Sequence, residues 1–211
     1  VTIMEQDCFQ LSYSNLGINK ALINPPYSQK EHNELDFVMQ TLTFMEKGGL
    51  LACICPLSCA IGSKSIYNKV REELLKKHTL ELVLTMPDDL FYGCGASTFT
   101  CIMVWRAHIP NNDHNTFFMR CKDDGFEKKR KFGRLDTNGK WDKIKNKWLS
   151  MCRARDVDDS MSCERHVTAQ DEWLCESYLR MDVTQLTDDD FQQTINDYVS
   201  FLVKEGIVYE Y

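Results

Sequence analysis

The sequence lacks the features that mark membrane proteins, secreted proteins and proteins that wrap nucleic acid. No apolar run in its 211 residues approaches the ~20 residues of a membrane-spanning helix, and its start does not resemble a signal peptide. Positive charge is in deficit, because 25 Lys and Arg stand against 31 Asp and Glu, for a formal net charge of -6. This balance argues against nucleic-acid binding over the whole surface but is compatible with a local basic strip. We expect a cytoplasmic chain without membrane contact.

The ten cysteines lack the spacing of a disulfide framework or a zinc site. No C-x-x-C occurs, and Cys53 and Cys55 stand two apart in an apolar run, where a strand would turn both side chains to one face. A chain of this length buries about 70% of its unfolded surface, so it can fold without such staples. We predict reduced thiols and no metal site.

Apolar runs alternate with helical periods in the first half of the chain. Strands are predicted at Ala21–Asn24 (buried and parallel), Leu50–Cys55, Leu80–Leu84 and Thr98–Trp105, and helices at Glu34–Glu46, closed by Lys47-Gly48-Gly49, and at Ser65–Lys77. The alternation indicates an α/β fold with a partial doubly wound, Rossmann-like sheet. The last two strands are separated by about a dozen residues, too few for a helical crossover. We therefore predict a mostly parallel sheet with an antiparallel last hairpin strand.

The second half of the chain has a different pattern. It predicts an edge strand at Thr116–Cys121, a tight turn at Asp123-Asp124-Gly125, an amphipathic helix around Trp141 and Trp148, and a small helical tail with Thr187 as N-cap. The two tryptophans fit helix packing better than base stacking. We divide the chain into a catalytic part (1–109), a hairpin and helix extension (110–152) and a helical tail (153–211).

Asn24-Pro25-Pro26-Tyr27, at the end of a predicted strand, carries the strongest chemical signal. Open α/β sheets bind ligands at the carboxyl ends of their strands. Proline holds the preceding asparagine extended, and the Asn24 side-chain oxygen and the Pro25 carbonyl can accept both hydrogens of an exocyclic amine. Tyr27 offers a face on which a flipped base can stack. The alternative is an ordinary proline turn.

The surrounding residues resemble the N6-adenine branch of the amino-methyltransferases, especially the methylation subunits of type I restriction-modification systems. The resemblance covers roughly Val1–Trp148 and rests on the Asn24–Tyr27 loop and on these segments: Phe44–Pro56, Val70–Leu75, Met86–Phe91 and Asp124–Phe126 followed by Lys128–Lys131. It implies methyl transfer from S-adenosylmethionine to adenine N6 in double-stranded DNA, within a restriction-modification system.

The resemblance also assigns roles to three other residues. It implies that Phe91 stacks on the target base opposite Tyr27, where the alternative is an ordinary core phenylalanine. It implies that Asp7 receives the adenine amino group of the cofactor and that Phe9 packs on the same ring, where the alternative for Asp7 is a turn residue. His32 lies near the catalytic loop without an assigned role.

One element of the family pattern is missing from this sequence. The glycine-rich loop and the acidic residue that bind the cofactor should precede Val1, and Gly93-Cys94-Gly95 stands in the wrong place to replace the loop. Val1–Glu5 already has the pattern of a strand. We therefore expect a piece of a longer protein with an incomplete cofactor pocket, without activity of its own, that depends on the missing N-terminal part.

A basic run after the sheet is the predicted contact to DNA phosphates. It comprises Lys128, Lys129, Arg130 and Lys131, with Arg134 and Lys140 nearby, and the alternative is a solvated charged face. No segment for reading a DNA sequence is visible, so specificity and restriction subunits are expected partners. Two other functions stay open: a non-catalytic assembly module of such a complex, and a protein-glutamine methyltransferase, which also uses Asn-Pro-Pro-Tyr.

Overall fold

The computed structural model describes residues 5–10, 17–62, 65–91, 98–179 and 187–204. The chain divides into two compact units, residues 1–179 and 180–211. Gly93-Cys94-Gly95, and all of the predicted strand at Val1–Glu5 except its last residue, lie outside the described residues. In the described ranges, no helix combines the length and the apolar character needed to cross a membrane.

The described part of the first unit contains a six-stranded sheet, a two-stranded hairpin and three α-helices. In chain order its elements are β1 (Ile18–Ile23), α1 (Glu34–Thr43), β2 (Met45–Pro56), α2 (Ser65–Lys77), β3 (Thr79–Thr85), β4 (Thr100–Arg106), β5 (Thr116–Arg120), β6 (Glu127–Lys129), β7 (Gly133–Leu135), α3 (Trp141–Ala154) and β8 (Ser162–Arg165). The second unit contains α4 (Asp188–Lys204). The predicted α/β class is confirmed.

The large sheet has the strand order β1-β2-β4-β3-β5-β8. β1, β2, β3 and β5 run in one direction, and β4 and β8 run in the other. The predicted antiparallel pairing of β3 with β4 is confirmed. The position of β4 corrects the prediction, because β4 is inserted between β2 and β3, which makes the sheet mixed. The carboxyl ends of β1, β2, β3 and β5 therefore share one edge.

The helix before β2 is shorter than predicted. It ends at Thr43, and Met45 already belongs to β2. Gly48 and Gly49 do not close the helix but lie inside β2, where Gly48 has φ +84°. The Gly48 N–H donates to the carbonyl of Ala107, directly after β4, and the Ala107 N–H donates to the Gly49 carbonyl. Only glycine adopts this φ without strain, so the pair serves an irregular strand rather than a helix terminus.

Two strands differ from their predicted environment. β1 was predicted to be buried, but it is the edge strand of the described sheet and Leu22 is 83% exposed. β5 was predicted to be an edge strand, but it lies between β3 and β8, and Phe117, Phe118 and Met119 are fully buried. β8 was missed because its four residues are too few to show a period.

Several local predictions are confirmed. α2 has the predicted bounds. Thr187 and Asp190 form the reciprocal hydrogen bonds of a capping box at the start of α4. Trp148 is buried against the sheet, as expected for helix packing. The three-part division of the chain stays a prediction, although the segment predicted as a helical tail contains β8.

Candidate active site

The predicted catalytic loop follows β1 at the shared carboxyl edge of the sheet. Ile23 is the last residue of β1 paired with β2, opposite Cys53. Asn24 is exposed, and its side chain has no hydrogen-bond partner among the described residues, whereas Pro25 is buried. The loop thus presents its amide outward from a fixed backbone.

A buried carboxylate holds the residue that follows the loop. Ser28 has φ +58°, a conformation unusual for a residue with a side chain. Its N–H donates to Glu34 Oε1 at 2.8 Å, and the Tyr67 hydroxyl donates to Glu34 Oε2 at 3.0 Å. Glu34 is only 3% exposed and lies in the first turn of α1, where the helix dipole favours a negative charge. Glu34 therefore links α1 and α2 to the exit of the loop.

Tyr27 points its hydroxyl into the protein. The oxygen is buried and has no hydrogen-bond partner among the described residues. Burial, followed by the proximity of Cys55 and Cys101, raises the pKa of Tyr27 to about 12. The phenol is therefore neutral at physiological pH and cannot serve as a base there.

Phe91 lies beside Tyr27, as the sequence predicts, but not parallel to it. The ring centroids are 6.2 Å apart and the planes are inclined by 80°. One planar base cannot lie flat on both rings in this arrangement, since two flat contacts need parallel rings. The two residues form a corner in which one ring supplies a face and the other an edge. Stacking of both rings on a base stays a prediction.

The two predicted cofactor residues line one cavity next to the loop. The cavity has a volume of about 530 Å³, and Asp7 and Phe9 share it with Ser28 and His32. Asp7 Oδ1 accepts the Phe9 N–H at 2.9 Å, which leaves Oδ2 without a partner among the described residues. The His32 ring stacks on Phe9 at 3.8 Å and 16°. His32 is thus a wall of the cavity, which its position in a loop did not reveal.

Comparisons with known proteins identify the family. The model of the N-6 DNA Methylase family matches residues 3–205. The chain belongs to this family. The resemblance to N6-adenine DNA methyltransferases of restriction-modification type that the sequence predicts is thereby confirmed.

Relatives of this N-6 DNA methylase chain include much longer proteins. The type II restriction enzyme and methyltransferase RM.BcgI of Heyndrickxia coagulans is 34% identical over 195 residues, which are 88% of this chain and 30% of that protein. The type I restriction-modification methyltransferase subunit of Streptococcus thermophilus has the same fold, with a TM-score of 0.64 and 14% identity over 82% of this chain and 41% of that subunit. A chain from a structure of type I restriction-modification complex assembly gives a TM-score of 0.60 at 11% identity, over 98% of this chain and 48% of that chain.

The β6–β7 hairpin of this methylase chain carries the basic run, but part of its charge is already paired. Lys128 lies 3.4 Å from Asp89, and Lys129 lies 2.9 Å from Glu127. Arg130 and Lys131 are exposed at the turn, and neither has an ion pair among the described residues. The turn is therefore the part of the run whose charge is not paired with another described residue.

Arg134 is not a surface cation, contrary to its grouping with the basic run. Its guanidinium donates two hydrogen bonds to Asp124, at 2.9 and 2.7 Å, and its Nε lies 2.9 Å from Asp89 Oδ1, an ion pair without hydrogen-bond geometry. The side chain is 10% exposed. Arg134 therefore ties the hairpin to the segment that carries Phe91.

Among the described residues, no group of three His, Cys, Asp or Glu side chains could hold a metal ion.

Proposed function

We propose that this chain is the part of a restriction-modification protein that methylates N6 of adenine in DNA, with S-adenosylmethionine as the methyl donor. The observation that carries the proposal is the Asn24–Tyr27 loop. It presents an outward amide that has no hydrogen-bond partner in the described part of the chain, next to a buried proline, at the edge of the sheet where α/β folds bind ligands. Membership of the N-6 DNA methylase family supports the reaction class.

The loop suits an amine that is a poor nucleophile. The lone pair of adenine N6 is delocalised into the ring, so positive charge develops on the nitrogen as it attacks a methyl group. The Asn24 side-chain oxygen and the Pro25 carbonyl each accept one N–H of the amine and stabilise this charge. No strong base is needed for this reaction. This agrees with the state of the Tyr27 hydroxyl, whose pKa of about 12 keeps it protonated, and therefore not a base, at physiological pH.

The cavity beside the loop fits one end of the proposed cofactor. When bound, S-adenosylmethionine supplies an electrophilic methyl group on its sulfonium. Asp7 Oδ2 would accept the amino group of its adenine, and Phe9, supported by His32, would pack on the ring. Ser28 borders the same cavity, so the cofactor would lie next to the loop. The residues of this cavity would hold the adenine end of the cofactor only.

Double-stranded DNA and other parts of a restriction-modification assembly are the proposed partners. Arg130 and Lys131 at the tip of the hairpin would contact phosphates, which position a duplex without reading its sequence. Reading of the sequence would come from another segment or from a specificity subunit. The chain spans about 30% of RM.BcgI, which leaves room in such a protein for these functions.

The test is methyl transfer by the full-length protein, with Asn24→Ala compared with Asn19→Ala, which changes an exposed residue on the same strand. We expect Asn24→Ala to lower kcat for tritium transfer to an adenine-containing duplex by about 10²-fold or more, because it removes one aligned acceptor. Cofactor affinity should stay unchanged, and Asn19→Ala should behave like the wild type. A duplex with purine in place of adenine should accept no label.

Two results would contradict the proposal. One is turnover by Asn24→Ala close to that of Asn19→Ala. The other is efficient transfer to a glutamine-containing peptide with none to DNA, which would favour protein methylation.

A further inference from the structure

A second cavity lies at the same edge of the sheet as the catalytic loop. Its volume is about 370 Å³, and Leu57, Met86 and Thr100 line it where β2 and β3 end and β4 begins. Asn24 and Tyr27 are not among its lining residues. Thr100 is paired with Pro56 at the end of β2, the strand whose Cys53 is opposite Ile23, directly before the catalytic loop. The cavity is thus adjacent to the catalytic loop but separate from it.

Two polar atoms in this cavity lack hydrogen-bond partners among the described residues. Thr100 is 1% exposed, and its Oγ1 makes no hydrogen bond. Glu176 uses Oε2 to accept a hydrogen bond from Thr85 at 2.8 Å, whereas its buried Oε1 has none and lies 3.8 Å from Arg120 Nε. Buried polar groups without partners are rare and destabilising in folded proteins. A ligand that donates N–H groups would satisfy both atoms.

The walls of the cavity suit a flat ligand. Leu57, Phe99 and Leu174 line it with apolar surface, and the Phe99 side chain is 53% exposed. The Glu176 carboxylate opposes a phosphate inside, and Lys122 is paired at 4.0 Å with Asp88, which also lines the cavity. The combination of apolar walls, one aromatic face and an acceptor inside matches a nucleobase rather than a phosphate.

We propose that this cavity binds an amino-bearing nucleobase of DNA, adjacent to the adenine held by Asn24. The base would donate its exocyclic N–H to Glu176 Oε1 and share a hydrogen bond with the Thr100 hydroxyl, while Phe99 packs on its face. The inference rests on the proposed function, because it takes the neighbouring loop as the site of the target base. It assigns to this chain a contact that discriminates between bases.

The test uses the Met86 methyl group as a reporter inside the cavity. The chain is labelled with ¹³C at its methionine methyl groups, the Met86 resonance is assigned with Met86→Leu, and deoxyadenosine and purine deoxyriboside are titrated separately. These nucleosides differ only in the amino group. We expect deoxyadenosine to shift the Met86 resonance with an affinity about tenfold higher than that of purine deoxyriboside. Thr100→Val and Glu176→Gln should abolish this preference, and Glu73→Gln, on an exposed part of α2, should preserve it.

Further variants separate this inference from the proposed function. Asn24→Ala and Phe9→Ala alter the loop and the other cavity, and they should leave the Met86 titration unchanged. Three results would overturn the inference. They are a Met86 resonance that does not shift on addition of deoxyadenosine, equal affinities for the two nucleosides, and loss of the Met86 shift in Asn24→Ala or Phe9→Ala. The proposed function is judged by methyl transfer alone, so a failure of the inference is distinguishable from a failure of the proposed function.

Discussion

Replacement of Glu34 should destabilise the protein and disturb the catalytic loop. Its carboxylate accepts hydrogen bonds from the Ser28 N–H and the Tyr67 hydroxyl and is 3% exposed. A hydrogen bond to a charged group contributes about 1.5–3 kcal/mol, and a buried donor left alone costs a similar amount. Glu34→Ala removes the acceptor of these two donors and of the Cys59 thiol, whose weaker contact with Oε2 is 3.9 Å long, so we expect a loss of about 3 kcal/mol in the free energy of unfolding. Such a loss is a large share of the ~5–15 kcal/mol typical of a folded domain.

A milder variant separates positioning from stability. Glu34→Gln keeps the shape and one acceptor, and the Tyr67 hydroxyl can rotate to accept from the amide. We expect a loss of about 1 kcal/mol. Because Ser28 follows the loop directly, Glu34→Gln should lower kcat for methyl transfer by the full-length protein and leave cofactor affinity unchanged. A merely structural role would leave kcat of the folded enzyme intact.

Urea unfolding, followed by tryptophan fluorescence, measures the stability difference. Glu31→Ala is the matched control, since Glu31 is exposed three residues earlier and a surface substitution changes stability by about 0.5 kcal/mol or less. If Glu34→Ala and Glu31→Ala unfold with the same free energy, the carboxylate is not the anchor that its contacts indicate, and the reasoning is refuted.

Tyr27→Phe should be neutral or should stabilise the protein by up to about 1 kcal/mol in thermal unfolding, because it removes a buried hydroxyl to which no described residue is hydrogen-bonded. The raised pKa has a defined sign: the folded state keeps the Tyr27 proton up to about pH 12, whereas the unfolded state loses it near pH 10. The contribution of Tyr27 to the free energy of unfolding is therefore fully present below pH ~10 and is lost as the pH rises towards 12. Between pH ~10 and ~12 the free energy of unfolding should fall less for Tyr27→Phe than for the wild type. Equal losses would contradict the assignment. Arg134→Lys should cost about 1–3 kcal/mol, because lysine cannot form the two parallel bonds to Asp124; a change no larger than that of exposed Lys129→Arg would argue against it.

The sequence predicts those parts of the site that depend on local patterns. Asn24–Tyr27 was placed at a strand end because a short apolar run followed by two prolines has few other structures. Asp7 and Phe9 were placed by a family pattern, and the structure brings both into one cavity next to Ser28. Their roles stay predictions, since a cavity shows proximity and not occupancy.

The features that the sequence did not predict depend on contacts between distant segments. Glu34 is an ordinary first-turn acid until the fold brings Tyr67, 33 residues away, to its carboxylate. β5 becomes an inner strand only because β8 pairs with it. The insertion of β4 between β2 and β3 also depends on pairing rather than on pattern, since the same apolar run would fit either position.

The basic run shows how a contact between segments alters the meaning of a sequence pattern. Read along the chain, Lys128–Lys131 and Arg134 are one patch of positive charge. In the structure, Arg134 and Lys128 both form ion pairs with Asp89, two residues before Phe91, whereas the turn residues Arg130 and Lys131 have no ion pair among the described residues. The hairpin therefore cannot shift without straining a partly buried ion pair at the base of the segment that carries Phe91. In the proposed complex with DNA, Arg130 and Lys131 would therefore be joined through Arg134 and Asp89 to the segment that carries Phe91.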